Sequence, residues 1–346
     1  MAQKIVLTSG SVFAGNPITF TVTPETLSFT PSFHRVIMEV TCGLSGGSYD
    51  TISLTAPVTT EGTDVKFDIA SALRVPLDDY TYTPDPVTYP FVSWHVCVYD
   101  EYMDANGAVH TKQGELYLPS ATEYYRAIAG GFSDFDRFTS AESKVVKTLT
   151  RKPTKLPQLV AVGETYAYTP AYANSQSLGQ SATLEAPTSV VQEITAEGLQ
   201  TIDGRQLYAL PESDGDSRQL FRFINSFGVL ESVSIPRAYG KTFAATSTAY
   251  AVSVQETFNT FSRAAVKKVN NQESWLFTSD PLNEEWAQWY LHEFLMSEHM
   301  WMLVNGAWLP CTVMLEDELT IIDRTKTDML SVSFTATLDI NGSPFL

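Results

Sequence analysis

The stretch WYLHEFLMSEHM, residues 289–300, begins like a metalloprotease motif. His292 and Glu293 open the pattern H-E-x-x-H, in which two histidines four residues apart reach one zinc ion from adjacent helical turns. Here the fourth residue after His292 is Met296, and a thioether does not replace an imidazole at a hydrolytic zinc ion. His299 follows about 10 Å further along a helix, at roughly 1.5 Å per residue. The spacing therefore argues against a metal site, and no metal ligand is assigned.

The same stretch is better explained as part of a packing helix over about 281–300. Asp280 followed by Pro281 fits a helix start, with Asp as the N-cap and Pro in the first helical position. Glu284 and Glu285 would then place negative charge near the positive end of the helix dipole. This is the one helix that the sequence predicts firmly.

Aromatic side chains define the expected buried face of this helix. We expect Trp286, Tyr290 and Phe294 to pack against the C-terminal strands. His292 and His299 should lie at the margins of the helix, free of metal. The stretch that opens like a zinc helix is thus predicted to be a packing element.

Other catalytic patterns do not occur in the sequence. It contains no G-x-S-x-G, no P-loop, no dinucleotide fingerprint and no C-x-x-C. His34, His95 and His110 stand in strand or loop contexts without a fixed nucleophile neighbour, which favours surface or hydrogen-bonded histidines. We therefore assign no catalytic or cofactor-binding residue and expect a non-enzymatic protein without a cofactor. A hydrolase whose site forms only in the fold stays as an alternative.

The length and the net charge of the chain limit the remaining classes of function. The chain has 346 residues, 44% of them hydrophobic, which suffices for a buried core and suggests two or three domains. Its formal net charge of −17 repels phosphate backbones, so we expect no sequence-specific nucleic-acid partner. The basic cluster at 144–156 is interpreted as a linker or strand edge. No apolar window is long enough for a membrane span, and the N-terminus lacks the pattern of a signal peptide.

Three cysteines, Cys42, Cys97 and Cys311, are too few for a disulfide framework. They are interpreted as small buried apolar residues in strands. Cys42 and Cys97 fall in two strand-like runs, which leaves open a disulfide that bridges a sandwich. Their redox state is not decided by the sequence.

Strand patterns predict a mainly β protein built from two β-sandwich-like domains and a third, α+β domain. Short alternating runs separated by Gly, Pro and Asp fill residues 1–120, which we predict to be the first sandwich. A connector is expected over 121–157, including a helical turn that stops at Gly130 and Gly131. The second β domain is expected over 158–240, and the α+β domain with the single helix over 241–346.

Two Asn-Gly pairs predict tight hairpins. One lies in DANG at residues 104–107, and the other is Asn305 with Gly306. Both residues of such a pair tolerate positive φ, which the two-residue turns of hairpins require. We expect each pair to join two antiparallel strands.

Two tyrosine-rich loops resemble each other, DDYTYTPDPVTYP and GETYAYTPAYANS. Tyrosine offers much contact area for few immobilised torsions, so these loops are candidate contact surfaces for a neighbouring subunit or for sugars. Local packing over the ends of the sandwiches is the alternative. The candidate residues are Tyr80, Tyr82, Tyr89, Tyr166, Tyr168 and Tyr172.

Several short motifs resemble a family of tail structural proteins encoded by tailed phages and prophages of gut Bacteroidales. The similarity lies in a Gly-Gly segment, YRAIAGGFSDF, in a Lys-Pro turn before a strand, TRKPTKLPQLV, and in GNPITFTVTP with the later VKFDIASALR. It also includes the motif FINSFG, where Asn225, Ser226 and Gly228 have the chemistry of a turn between two apolar strands. At the position where the family often has a second Gly, this chain has Val229.

The resemblance implies a virion protein without catalytic residues. We expect a structural component of a phage tail or tail tip that is made in the host cytoplasm and assembles in a ring. Its expected partners are copies of itself and other virion proteins. A glycan-binding adhesin or receptor-binding module is the alternative from a different class.

Overall fold

The computed structural model describes residues 4–9, 12–60, 62–118, 123–131, 149–154, 156–170, 185–211, 217–256, 259–316 and 330–338. The fold is mainly β, as the strand patterns predict, with 52% of residues in strands and 8% in helices. No helix in these ranges is long and apolar enough to cross a membrane.

The chain forms two compact units that interleave along the sequence. The first unit comprises Met1–Thr150, Thr169–Val190 and Ser226–Val229. The second comprises Arg151–Tyr168, Val191–Asn225 and Leu230–Leu346. The units thus divide the chain differently from the predicted segments, because distant strands pair in one sheet and local patterns do not reveal that pairing.

The part of the first unit that the structure describes forms two antiparallel sheets. One sheet has three strands in the order β1-β2-β5, and the other joins β4-β3-β6-β7, with β8 also pairing with β6. The strands are β1 (Lys4–Ser9), β2 (Thr19–Thr23), β3 (His34–Leu44), β4 (Asp50–Pro57), β5 (Val65–Asp68), β6 (Val92–Met103), β7 (Val109–Tyr117) and β8 (Tyr125–Ala127).

Both sheets of the first unit contribute side chains to one core. The alternating pattern of β3 buries Val36, Met38 and Val40, as expected for a strand with one face on a core. Phe20 of β2 meets Trp94 of β6 edge to face, with ring centroids 6.2 Å apart. These contacts between the two sheets agree with the sandwich-like domain that the sequence predicts here.

Helix α1 (Ala70–Asp78) packs on this core and was missed in the sequence. Asp68 Oδ1 accepts hydrogen bonds from the backbone N–H of Ala70 at 3.0 Å and of Ile18 at 3.1 Å, which fixes the start of the helix. Pro76 has no N–H and therefore leaves the Ala72 carbonyl without its helical donor. The Cys42 thiol donates to that carbonyl at 3.5 Å.

The disulfide between Cys42 and Cys97 that the sequence left open is wrong. The two cysteines lie on adjacent strands of one sheet, where Cys42 faces Trp94 and Cys97 faces Glu39. This offset of three residues puts their side chains on opposite faces of the sheet. None of Cys42, Cys97 and Cys311 forms a disulfide and all three are buried, and burial raises the pKa of Cys42 to about 11.

The described residues of the second unit form three sheets. Two strands pair as β10-β11, three follow the order β12-β13-β9 with β13 and β9 parallel, and seven follow the order β15-β14-β18-β19-β20-β17-β16. The strands are β9 (Gln158–Ala161), β10 (Thr165–Tyr168), β11 (Val190–Glu193), β12 (Gly198–Ile202), β13 (Arg205–Leu210), β14 (Arg218–Ile224), β15 (Leu230–Pro236), β16 (Gly240–Glu256), β17 (Asn259–Thr278), β18 (Met300–Val304), β19 (Ala307–Leu315) and β20 (Ser333–Leu338).

The predicted C-terminal helix exists but is shorter than 281–300. An α-helical turn, α2 (Glu284–Trp289), continues as a π-helical turn (Tyr290–Phe294), and Met300 already begins β18. The N-cap is Asn283, whose Oδ1 accepts from Trp286 N at 3.0 Å, and not Asp280. Asp280 is instead bound to Arg218, a partner that no local start signal reveals.

The buried face of this helix is confirmed. Trp286, Tyr290 and Phe294 are all buried, with exposed fractions of 5%, 4% and 0%. Phe294 packs edge to face on Phe334 of β20, with ring centroids 5.5 Å apart. The aromatic residues therefore join the helix to the C-terminal strands, as the sequence predicts.

Both Asn-Gly hairpins are confirmed, with different turn geometries. Asn305 and Gly306 have φ values of 50° and 80° and join β18 to β19, as a two-residue turn requires. At 104–107 only Gly107 has positive φ, and Asp104 Oδ1 accepts from the N–H groups of Asn106 and Ala108. The helical turn expected before Gly130 is wrong, because residues 125–127 form β8 and extend along β6.

Candidate functional site

Glu293, the acid of the apparent metalloprotease motif, is engaged by an arginine. Arg151 Nη1 donates to Glu293 Oε1 at 2.6 Å, and the glutamate side chain is only 1% exposed. His292 and His299 are exposed. Within the described ranges no group of three His, Cys, Asp or Glu residues is arranged to hold a metal ion.

A lysine lies buried beside this ion pair, in the second unit. Lys152 Nζ donates to the Ser232 carbonyl at 2.8 Å and lies 3.7 Å from Glu231 Oε2. The Lys152 ammonium also lies over the rings of Tyr166 and Trp289, at 4.9 and 5.1 Å from their centroids. Cation–π contacts and an opposite charge together compensate the loss of water around the ammonium. Arg151 and Lys152 thus anchor a segment that the sequence suggested to be a linker.

Asn225 extends this cluster to the turn motif. Its Nδ2 donates to Glu231 Oε1 at 2.8 Å, in a buried contact. Glu231 therefore has one oxygen on an amide and the other near the Lys152 ammonium. We call Lys152, Asn225, Glu231 and Ser232 the Lys152 cluster.

A second polar group links the start of the C-terminal helix to β15. Arg218 Nη2 donates to Asp280 Oδ2 at 2.7 Å, and Arg218 Nε donates to Ser234 Oγ at 2.8 Å. Ser234 Oγ donates in turn to Glu164 Oε1 at 2.8 Å. Burial raises the pKa of Glu164, which two hydrogen bonds and the Arg218 charge partly offset.

These charged groups have the chemistry of structural anchors. The recess lined by Gln158, Glu164, Tyr166, Ser232 and Ser234 has no volume that would admit a water molecule. A substrate needs a cavity beside its reacting groups. The arrangement can fix strands to one another. The neighbouring recess beside Asp280 and Ser234 holds only about 70 Å³, well under the roughly 300 Å³ at which small-molecule sites begin.

The FINSFG motif forms the turn between β14 and β15, as predicted. Gly228 has a φ of 72°, and an added Cβ would lie 2.5 Å from Ala129 Cβ, so both positive φ and close approach require glycine here. The Ser226 carbonyl accepts from Gly131 N at 3.2 Å. Gly130 also lacks room for a Cβ, because Phe227 backbone lies against it. Two of the motifs that carry the family resemblance, the Gly-Gly segment and FINSFG, therefore contact each other.

The first tyrosine loop packs on itself in the first unit. Tyr82 lies between Tyr80 and Tyr89, with centroid distances of 5.0 and 6.1 Å. Tyr89 is buried and the other two rings are half-buried. Burial raises the pKa of Tyr82 to about 12, with further contributions from its acidic neighbours. This geometry agrees with local packing more than with a contact surface.

The described tyrosines of the second loop are also largely buried. Tyr166 is 1% exposed and stacks on half-buried Tyr168, with centroids 5.6 Å apart, and both residues belong to strand β10. Tyr172 lies outside the described residues. Among the described candidate tyrosines, Tyr89 and Tyr166 are buried, and Tyr80, Tyr82 and Tyr168 are half-buried.

The isolated histidines His34, His95 and His110 contact neighbouring side chains. His34 Nε2 lies 3.0 Å from Asp100 Oδ1 in a buried pair, and His110 Nε2 lies 2.9 Å from Asp104 Oδ2. Both agree with the interpretation of hydrogen-bonded histidines. His95 packs on the ring of Tyr124 at 5.0 Å, and burial lowers its pKa.

The most extended feature of the second unit is the hairpin of β16 and β17. The two strands pair from Gly240 with Leu276 to Glu256 with Asn259, whereas β20 pairs with β17 only over residues 274–278. Residues 243–256 and 259–273 thus pair only with each other among the described strands. At roughly 3.3 Å per residue this two-stranded ribbon is about 45 Å long. We call it the β16–β17 ribbon.

An edge strand of this length carries a row of backbone N–H and C=O groups outside its own ladder. Such a row can accept a strand from another chain. Isolated two-stranded ribbons are at best marginally stable in water, so a ribbon that continues beyond its sheet gains from further pairing. Of the features on the chain, this ribbon is the strongest candidate for an assembly surface.

No protein family matches the chain. No curated protein matches it.

The sequence predicts strands in two runs, STAYAVSVQETFNTFSRAAVKKV and ESWLFTSD. Their β-branched, aromatic and small residues favour strands, but this composition gives neither the pairing nor the length of β16 and β17. The sequence also shows no sign of the buried Lys152 or of the ion pair between Arg151 and Glu293. The partners Glu231 and Glu293 are distant in the sequence, so local patterns carry no signal for either contact.

Proposed function

We propose that this chain is a non-enzymatic structural component of a bacteriophage virion, in the tail or tail tip, which assembles in a ring with copies of itself. The observation that carries the assembly part is the β16–β17 ribbon. The phage assignment rests on the sequence resemblance in the Gly-Gly segment and the FINSFG motif.

The ribbon suits addition of a strand from a second copy. Its outer strand, β16, is the edge of the seven-stranded sheet along residues 240–256. When one edge of a copy pairs with a different edge of the next copy, the contact is heterologous. Repetition of this contact gives a ring if the rotation between neighbouring copies closes on itself. Main-chain hydrogen bonds would supply the affinity, and alternate side chains the register.

The buried charge clusters support a structural role. Lys152 lies beside Glu231, Arg151 forms an ion pair with Glu293, and the described recess lined by Ser232 has no volume that would admit a water molecule. Buried ion pairs of this kind fix one arrangement of strands at the cost of desolvation. A subunit that must present its edges in a constant register gains from such fixed strands.

The experiment compares the full chain with a ribbon-shortened variant. Thr246 pairs with Asn270, so replacing residues 247–269 by Asn-Gly closes a two-residue hairpin on an existing pair. Light scattering during size-exclusion chromatography should give a closed oligomer for the full chain and a monomer for the variant. A folded full chain that stays monomeric at high concentration, or an unchanged oligomer in the variant, would overturn the proposal. Circular dichroism checks that the variant retains its remaining strands.

A further inference from the structure

An open recess lies on the outer face of the five-stranded sheet in the first unit. Its volume is about 280 Å³, near the lower end of the roughly 300–1,000 Å³ of small-molecule sites. Tyr49, Phe91, Ser93, Glu123, Tyr124 and Arg126 line it. None of these belongs to the tyrosine loops that the sequence singled out.

Strand register places these residues on one face. Ser93 of β6 pairs with Arg126 of β8, and Trp94 pairs with Tyr125. Trp94 points into the core, with no exposed surface, so Ser93 and Arg126 lie on the opposite side of the sheet. Tyr124 shares this face, because its ring packs on His95 at 5.0 Å.

Two exposed rings form a platform at the recess. Tyr49 and Tyr124 are 43% and 40% exposed, the two large aromatic residues of the recess that reach solvent to this extent. Their centroids lie 5.3 Å apart with planes tilted by 31°. The parts of the two rings that reach solvent offer apolar surface, with one hydroxyl group on each ring.

The polar residues beside the platform carry both signs of charge. Glu123 brings a carboxylate that accepts hydrogen bonds, and Arg126 brings guanidinium donors, held over the Phe91 ring at 4.5 Å from its centroid. Ser93 adds a hydroxyl group. Glu123 would repel a simple anion and Arg126 would repel a simple cation, so the lining disfavours both.

We infer that this recess is a binding site for a neutral saccharide. A sugar ring has an apolar face of C–H groups, which fits Tyr49 and Tyr124, and a rim of hydroxyl groups that donate and accept at once. Neighbouring hydroxyl groups would donate to Glu123 and accept from Arg126. Of the ligand classes compatible with the volume, this one matches both the aromatic and the polar part of the lining.

The test probes the full chain on a glycan array with two sets of ligands. One set carries neutral hexose and N-acetylhexosamine oligosaccharides, and the other carries sialylated and sulfated ones. The inference expects binding to the neutral set, and calorimetry with the strongest neutral ligand should show at least a tenfold loss of affinity in Tyr124→Ala and Tyr49→Ala. Tyr208→Ala is the matched control, because Tyr208 is 44% exposed on β13 of the second unit, and it should bind like the unchanged chain.

A conservative variant guards against misfolding. Glu123→Gln keeps the shape of the side chain and removes one charge-assisted acceptor, so it should lose affinity, and circular dichroism checks that it keeps its strands. Absence of binding to every neutral ligand would overturn the inference, as would preference for the charged set. Equal affinity in the Tyr49, Tyr124 and Tyr208 variants would also overturn it. The outcome is independent of the β16–β17 ribbon.

Discussion

Arg151 Nη1 and Glu293 Oε1 lie 2.6 Å apart, so the glutamate of the apparent zinc motif is committed to an ion pair. The carboxylate is almost fully buried, whereas the arginine side chain is 22% exposed. Such a pair is costly to break, because removal of one partner leaves the other desolvated without its counter-charge.

Glu293→Ala should destabilise the chain by about 2–3 kcal/mol, the range for losing a charge-assisted hydrogen bond to a buried group. The matched control is His292→Ala, an exposed neighbour, which should change the free energy of unfolding by less than about 0.5 kcal/mol. Urea unfolding measures both. If the two variants lose equal stability, the ion pair does not have this role.

Gly228→Ala tests the contact between the FINSFG turn and the Gly-Gly segment. A Cβ at residue 228 would meet Ala129 Cβ at 2.5 Å and would also sit at a φ of 72°. Gly204 has a φ of 74° and nothing within 4 Å of an added Cβ, so Gly204→Ala carries the backbone strain alone, about 1–2 kcal/mol. We expect Gly228→Ala to lose about 2 kcal/mol more than this control, since overpacking adds 1–3 kcal/mol. Thermal unfolding measures both variants. Equal unfolding midpoints would contradict the close contact at Gly228.

The Lys152 cluster predicts coupling between Lys152 and Glu231. Lys152→Met leaves the glutamate buried without its counter-charge, and a loss of about 3–5 kcal/mol is expected. Glu231→Gln in the same chain removes that charge, so the double variant should be more stable than Lys152→Met alone. A double-mutant cycle in urea gives the coupling energy. Purely additive losses would show that the two charges do not stabilise each other.

His95 predicts a pH dependence of stability. Burial lowers its pKa in the folded chain, so the unfolded chain binds the proton more tightly. The free energy of unfolding should therefore be highest above the unfolded pKa of about 6.5 and should fall as the pH drops through that value towards the lower, folded pKa. His95→Gln should flatten the dependence between pH 7 and 5. An identical pH profile in the variant would contradict the assignment to His95.

Local chemistry was the part of the fold that the sequence could predict. Asn305 and Gly306 form the expected turn because their own backbone preferences determine it. The aromatic residues of the C-terminal helix are buried as expected, since periodicity alone selects a buried face. The mainly β class follows from strand patterns for the same reason.

Distant partners account for what the sequence did not reveal. Asp280 has every local sign of an N-cap, yet Arg218 binds it and Asn283 caps the helix. Helix α1 escaped notice because Pro76 and the preceding VKFDI resemble a strand and its end. The case of Asp280 shows a tertiary contact that overrides a local start signal.

The candidate sites were missed for a related reason. Tyr80, Tyr82 and Tyr166 drew attention through their repeated pattern, but exposure depends on which strands cover a ring. Tyr49 and Tyr124 occur in unremarkable contexts, and only the pairing of β3, β6 and β8 places them at one recess. The length of the β16–β17 ribbon likewise depends on where β20 stops pairing.

The most direct test of the central claim is quantitative mass spectrometry of purified phage particles from a host that encodes this chain. We expect the chain in the particles at the copy number of a ring component, in constant ratio to the other tail proteins across preparations. Its absence from particles in cells that express it would contradict the proposed role in the virion.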